Sequence, residues 1–240
     1  MIIDFHTNIG EAADLYCDPD ELLKEMDDND VQQAVVCPTD RYMAVFNEEG
    51  NSYITETVNK HPERFIGFGC ASPWYGSKAV EEVKKIKNMG LKGIKFHPFI
   101  QGFMLSDKFM DPVLEACAKQ SLVVMVHTGT PISSMPFQLK EVALRFPEIK
   151  FIMGHMGWSD FWYDAALAAK DLPNIYLEIS YQMPSVIKDA IQVCGAERVV
   201  YGSDWPYSRM RIELNKVRVA PTVAAKNDIL ALNAKRIMAL

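Results

Sequence analysis

Three histidines and an aspartate stand out because each directly follows a short apolar run. The runs end Ile3-Asp4-Phe5-His6-Thr7-Asn8, Met125-Val126-His127-Thr128-Gly129, Met153-Gly154-His155-Met156-Gly157 and Tyr201-Gly202-Ser203-Asp204-Trp205-Pro206. One histidine after an apolar run is most often a satisfied core or loop residue. Four such groups at the ends of four different runs mean more, provided the runs converge. Burying them together costs free energy unless they pair or share an ion. Imidazole nitrogen and carboxylate oxygen, without thiolate, suit zinc and neighbouring divalent metals. Three protein donors and one open position would make a catalytic site, where the cation lowers the pKa of a bound water. His61, just before Pro62, reads as an exposed turn residue.

The elements that must position these groups alternate from end to end. Strand candidates are 2–6, 33–38, 65–72, 93–97, 122–127, 150–155, 174–180 and 198–204. Most are rich in Val, Ile and Phe with little alternation, as expected of parallel strands buried on both faces. Helical segments lie between them. Residues 77–89 carry Val80, Val83 and Ile86 on one face and stop at Gly90, a natural helix end. Residues 107–120 and 136–146 behave alike, and 226–240 reads as a closing helix. Strand then helix, about eight times, with no Gly/Ser linker, predicts an α/β fold: one (β/α)8 TIM barrel over residues 1–240. The C-terminal strand ends of such a barrel converge on one mouth, which would gather the four polar groups. A doubly wound open sheet is the alternative, but it would usually show a glycine-rich turn after its first strand, and none is present.

Composition excludes several classes. The chain has 240 residues, 49% of them hydrophobic, and a formal net charge of -6. That size suits one large barrel, and the acidic balance gives no footprint for nucleic acid. Cys17, Cys37, Cys70, Cys117 and Cys194 are widely spaced with no Cys-x-x-Cys pair. This argues against a thiolate zinc site and for a reducing compartment. No basic-then-apolar leader and no apolar run of membrane-spanning length is visible, so a soluble cytoplasmic protein is expected.

At these residues the chain resembles the amidohydrolase superfamily, and within it the amidohydrolase-related branch that contains aminocarboxymuconate-semialdehyde decarboxylase. The resemblance runs over the whole chain. It includes the first-strand Ile-Asp-x-His, Gly93-Ile94-Lys95-Phe96-His97-Pro98, the His-Thr-Gly at 127, the Gly-His-x-Gly at 154, the Gly-Ser-Asp-Trp-Pro at 202 and the closing Leu232-Asn233-Ala234-Lys235-Arg236. It implies that His6, His127 and Asp204 hold a metal. His155 would act beside the metal as an acid/base or polarise the substrate, and Asp204 would take the proton of the attacking water. One departure matters. The family's first strand offers two histidines two residues apart, on one strand face. Here the second position is Asn8, which offers only a neutral carbonyl oxygen. Three outcomes stay open: zinc still held by His6, His127 and Asp204, with Asn8 as a weak fourth donor; a preference for manganese or iron(II); or weak or lost metal. Lys95 stands where some superfamily members carry a carboxylated lysine bridging two metals, though this branch usually works with one.

Arg41, Trp74, His97, Trp158 and Arg209 follow strand candidates and are the substrate-binding candidates. An arginine there could clamp a carboxylate bidentately. Taken singly, the aromatics could equally pack loops and the arginines face solvent. The resemblance implies a small-molecule substrate, and a homodimer is possible. The chain is short for the decarboxylases it resembles, so the expected activity is metal-dependent hydrolysis of a small lactone, amide or ester. Decarboxylation of an aromatic or unsaturated acid is the alternative, and a barrel that binds a metabolite without turnover is the second.

Overall fold

The computed structural model describes residues 1–220 and 222–240. Among them nine strands form one sheet: β1 Ile3–Glu11, β2 Tyr16–Cys17, β3 Gln33–Pro38, β4 Phe65–Gly69, β5 Gly93–Phe96, β6 Val123–His127, β7 Phe151–Gly154, β8 Ile175–Glu178 and β9 Val199–Val200. Their order is β2-β1-β3-β4-β5-β6-β7-β8-β9. β2 folds back antiparallel on the end of β1, and every other neighbouring pair is parallel. The segment after β9 closes the cylinder onto β1. Phe5 N donates to Tyr201 O, Asp204 N to His6 O, and Asn8 N to Trp205 O, each at 2.8 Å. The eight parallel strands thus form a TIM barrel.

Strand side chains alternate between two buried layers, which is why the sequence shows little alternation. Ile3, Phe5, Val35, Cys37, Ile66, Phe68, Val123, Met125, Ile152, Tyr176 and Val200 fill the interior, floored by Ala234, Ile237 and Met238 of the last helix. Their neighbours Val36, Ile94, Phe96, Val124, Val126, Phe151, Met153 and Leu177 pack outward against the helices. Ser77–Asn88 and Pro136–Arg145 match the expected helices. The closing segment differs from one continuous helix. It is α-helical over Val223–Asn227, widens to a π-helical turn over Asp228–Leu232, and resumes over Asn233–Met238. The physical context is its contact with the barrel: Asn233 Nδ2 donates to Ala196 O at 2.8 Å and Val199 O at 2.7 Å, and such wide turns often mark a local constraint. No helix among the described residues is long and apolar enough to cross a membrane. All five cysteines are buried and free.

Candidate active site

Period-two alternation puts the chemistry one layer above the apolar interior. Lys95, His127 and Glu178 lie two residues beyond Gly93, Met125 and Tyr176 on their strands, so they face the barrel axis at its C-terminal mouth. β1 needs an extra device, because Ile3 and Phe5 point inward and strict alternation would send His6 outward. Its pairing with β3 shifts register between Asp4 and Thr7. Such a bulge resets which residues face in, and His6 and Asn8 join the mouth layer.

Hydrogen bonds bind these groups into one cluster. His6 Nδ1 meets Glu178 Oε2 at 2.9 Å, and both side chains are fully buried. A carboxylate at Nδ1 fixes the proton there and turns the Nε2 lone pair inward. Around that Nε2 lie Lys95 Nζ at 2.8 Å and Asp204 Oδ1 at 3.2 Å. Asn8 joins the two charges: its Oδ1 accepts from Lys95 at 2.7 Å and its Nδ2 donates to Asp204 Oδ1 at 2.9 Å. His155 contacts Ser180 Oγ through Nδ1 at 2.7 Å and His127 Nδ1 through Nε2 at 3.1 Å. Glu178 also accepts from the backbone N–H of His155 and of Ser180. Donor atoms of His6, His155 and Asp204 all lie within 4.8 Å of one another.

Burial sets the protonation states. It holds His127 and His155 well below the usual imidazole range, with neighbouring histidines and Lys95 adding to the effect. His97, stacked on His127 at 3.8 Å, is pushed down to about 3 by burial and by the Lys95 charge. Burial also raises Glu178, but hydrogen bonding and charge from His6 and the two N–H donors outweigh it, leaving the carboxyl below its ordinary value. Beneath the site, burial lifts Asp4 to about 7. The Tyr181 phenol is raised by burial and by the Asp204 carboxylate beside it.

A cavity of about 240 Å³ opens above the cluster, lined by Asn8, Asp40, Lys95, His97, His127, His155, Trp158, Tyr181, Asp204 and Tyr207. Trp158 and Tyr181 stack at 4.8 Å. His155, Trp158, Tyr181 and Asp204 hold φ of 61°, 56°, 65° and 55°. Non-glycine residues in that region cost on the order of 1–3 kcal/mol each and gather at functional sites. Of the residues singled out from sequence, His6, Asn8, His127, His155, Asp204, His97, Trp158 and Lys95 are brought together here. Arg41, Trp74 and Arg209 are not among the lining residues. Arg41 pairs with Glu11 at 2.6 Å; Trp74 donates to Gln101 O and packs on Phe109; Arg209 lies 3.7 Å from Glu25. Glu178, Asp40, Tyr181 and Tyr207 were missed. Glu178 had a readable signal, a lone carboxylate ending an apolar strand.

Residues 3–240 match a family model described as Amidohydrolase. The chain belongs to this amidohydrolase family. Within the family it is 31% identical, over 78 residues, to a 2-amino-3-carboxymuconate-6-semialdehyde decarboxylase from Dictyostelium discoideum. That segment is 32% of this chain and spans only 22% of the relative. Among solved structures it resembles 5-carboxyvanillate decarboxylase from Sphingomonas paucimobilis, with TM-score 0.80 and 20% identity over 100% of this chain and 99% of that one. It also resembles the 5-carboxyvanillate decarboxylase of Novosphingobium aromaticivorans DSM 12444, with TM-score 0.83 and 16% identity over 100% and 96%. That structure holds manganese and 4-hydroxy-3-methoxy-5-nitrobenzoic acid. The amidohydrolase-family site in this chain has the donors a divalent ion requires: an inward imidazole lone pair, a second imidazole and a carboxylate, backed by Glu178 and Ser180. The three grouped donors suffice for one ion. Lys95 contacts His6 and Asn8 directly.

Proposed function

We propose that this chain is a divalent-metal-dependent decarboxylase that releases carbon dioxide from a small aromatic or unsaturated carboxylic acid. The observation that carries it is the pocket itself: a small cavity with flat aromatic walls, lined by three histidines, two aspartates and one lysine. A planar acid suits those walls; one named relative is a decarboxylase of a ring acid, 5-carboxyvanillate, and the other of an open-chain unsaturated acid. Shortness had favoured hydrolysis, but this chain covers 96–99% of the solved decarboxylases, so length no longer argues for it. His6, His155 and Asp204 would hold the ion, which when bound would anchor substrate oxygens and stabilise negative charge developing on them. Manganese or zinc suits this donor set.

In the reaction the carbon–carboxylate bond breaks, carbon dioxide leaves, and the electron pair stays on the substrate carbon. That carbon takes a proton. Asp204 presents one oxygen to His6 and Asn8; its other oxygen takes up a proton from solvent during the turnover and delivers it to that carbon, which returns Asp204 to the carboxylate. His127, kept neutral by burial, passes a proton along the pocket wall. Trp158, Tyr181 and His97 hold the ring and exclude water.

The test is a substrate panel of hydroxybenzoic and unsaturated acids beside lactones and esters, using protein reconstituted with Mn2+ or Zn2+. Carbon dioxide should evolve from at least one acid with one proton incorporated at carbon. Lactone or ester turnover without any carbon dioxide would replace this reading with hydrolysis. Binding of acids without turnover would leave a metabolite-binding barrel.

A further inference from the structure

We infer that the Lys95 ammonium holds the His6 lone pair that a divalent ion needs at this site, so that such an ion enters only by displacing it. This rests on the proposal above that the site takes such an ion. The argument begins at one lone pair. Glu178 fixes the His6 proton on Nδ1, which leaves Nε2 as the ring's single acceptor. A metal needs that lone pair, and Lys95 Nζ already sits 2.8 Å from it.

Asn8 shows that the arrangement is matched to a lysine. Its carbonyl oxygen accepts from Nζ at 2.7 Å while its amide nitrogen donates to Asp204 Oδ1 at 2.9 Å. One side chain thus serves a buried positive charge with one end and a buried negative charge with the other. Lys95 is 3% exposed, so its charge depends on such partners: a buried ammonium costs several kcal/mol unless paired and hydrogen-bonded. The same Asp204 oxygen lies 3.2 Å from His6 Nε2. Nitrogen, amide oxygen and carboxylate therefore surround one small volume, and Nζ borders it from the remaining side.

An incoming divalent ion meets a like charge about one contact distance away in a poorly screened interior, where such repulsion is largest. It gains His6 and Asp204 only after Nζ swings out on its flexible stem. Asp40, also on the pocket wall, supplies an acceptor for the displaced ammonium. Removing the lysine charge should thus tighten metal binding, the opposite of what a supporting ligand would do.

The experiment strips wild type, Lys95→Met and Lys95→Gln of metal with chelator and titrates Mn2+ and Zn2+ by calorimetry, with bound metal counted after dialysis. Lys95→Gln keeps a polar group of similar reach should Lys95→Met fail to fold. Both variants should bind one equivalent at least tenfold tighter than wild type, and adding Asp204→Ala should abolish the gain. Wild-type affinity equal to or tighter than both variants would overturn the inference while leaving the metal proposal standing. Absence of binding in all three proteins would overturn both.

Discussion

Glu178 ties three parts of the candidate site together, although it was not singled out in sequence. It orients His6, anchors the His155 backbone and pairs with Ser180. With His6 so fixed, the open question at this scale is which second imidazole completes the metal set. The resemblance implies His127, whereas the compact donor group contains His155. His155→Ala should lower metal affinity at least tenfold, while His127→Ala should retain metal and lose turnover. Metal analysis of both variants after dialysis decides between them, and the reverse pattern would restore the ligand set implied by the resemblance. His6, His127, His155 and Asp204 were legible in sequence because each interrupts an apolar run. Tyr181 and Tyr207 were not, because a tyrosine in a loop looks the same whether it lines a pocket or the outer surface.

The elements place these groups through a few local devices. β1 turns His6 inward by its register shift. The turn after β6 depends on Gly129, whose φ is +89° and whose missing Cβ would lie 2.4 Å from Trp158 Cδ1 and 2.5 Å from the Gly157 carbonyl carbon. Two costs coincide there, since a side chain is disfavoured at that φ and the backbone atoms cannot yield. Gly129→Ala should destabilise the protein by about 1–3 kcal/mol and shift Trp158 off the pocket wall. Thermal unfolding, together with the tryptophan fluorescence of the variant compared with that of a Trp158→Phe control, would show it; an unchanged melting temperature would mean the turn relaxes freely. The helices at 77–88 and 136–145 were readable from their apolar spacing and terminal signals. The π-helical widening at 228–232 was not, because its cause is contact with the barrel rather than any local residue.

Over the whole molecule, closing the barrel buries histidines that are neutral when folded. His97 falls to about 3, and His127 and His155 lie well below 6.5. Below about pH 6.5 the unfolded chain therefore takes up protons that the folded one refuses, and stability falls with acidification. Asp4 works the other way. Raised to about 7 from 3.8, it holds a proton in the folded state that the unfolded chain has released, so it offsets about one histidine. Asp40 and Glu213, also raised by burial, act in the same sense as Asp4 at lower pH, so the loss of stability is steepest between about pH 6.5 and 5. Glu178, lowered in the fold, adds its own loss only as pH drops below its ordinary range of about 4.5. Urea titrations of the metal-free protein should show the unfolding midpoint dropping steeply from pH 6.5 to 5. A flat or rising midpoint would contradict the assigned neutral histidines.

Residue order alone was enough to read the barrel and the residues at its strand ends, because strand burial, helix spacing and polar interruptions are local patterns. It placed Lys95 beside the chemistry without giving it a partner. It took the folded chain to bring Lys95, His6, Asn8 and Asp204 around one small volume and to leave Arg41, Trp74 and Arg209 outside it. Contact across a cylinder depends on register, closure and side-chain direction summed over eight strands, and no window of sequence contains that sum.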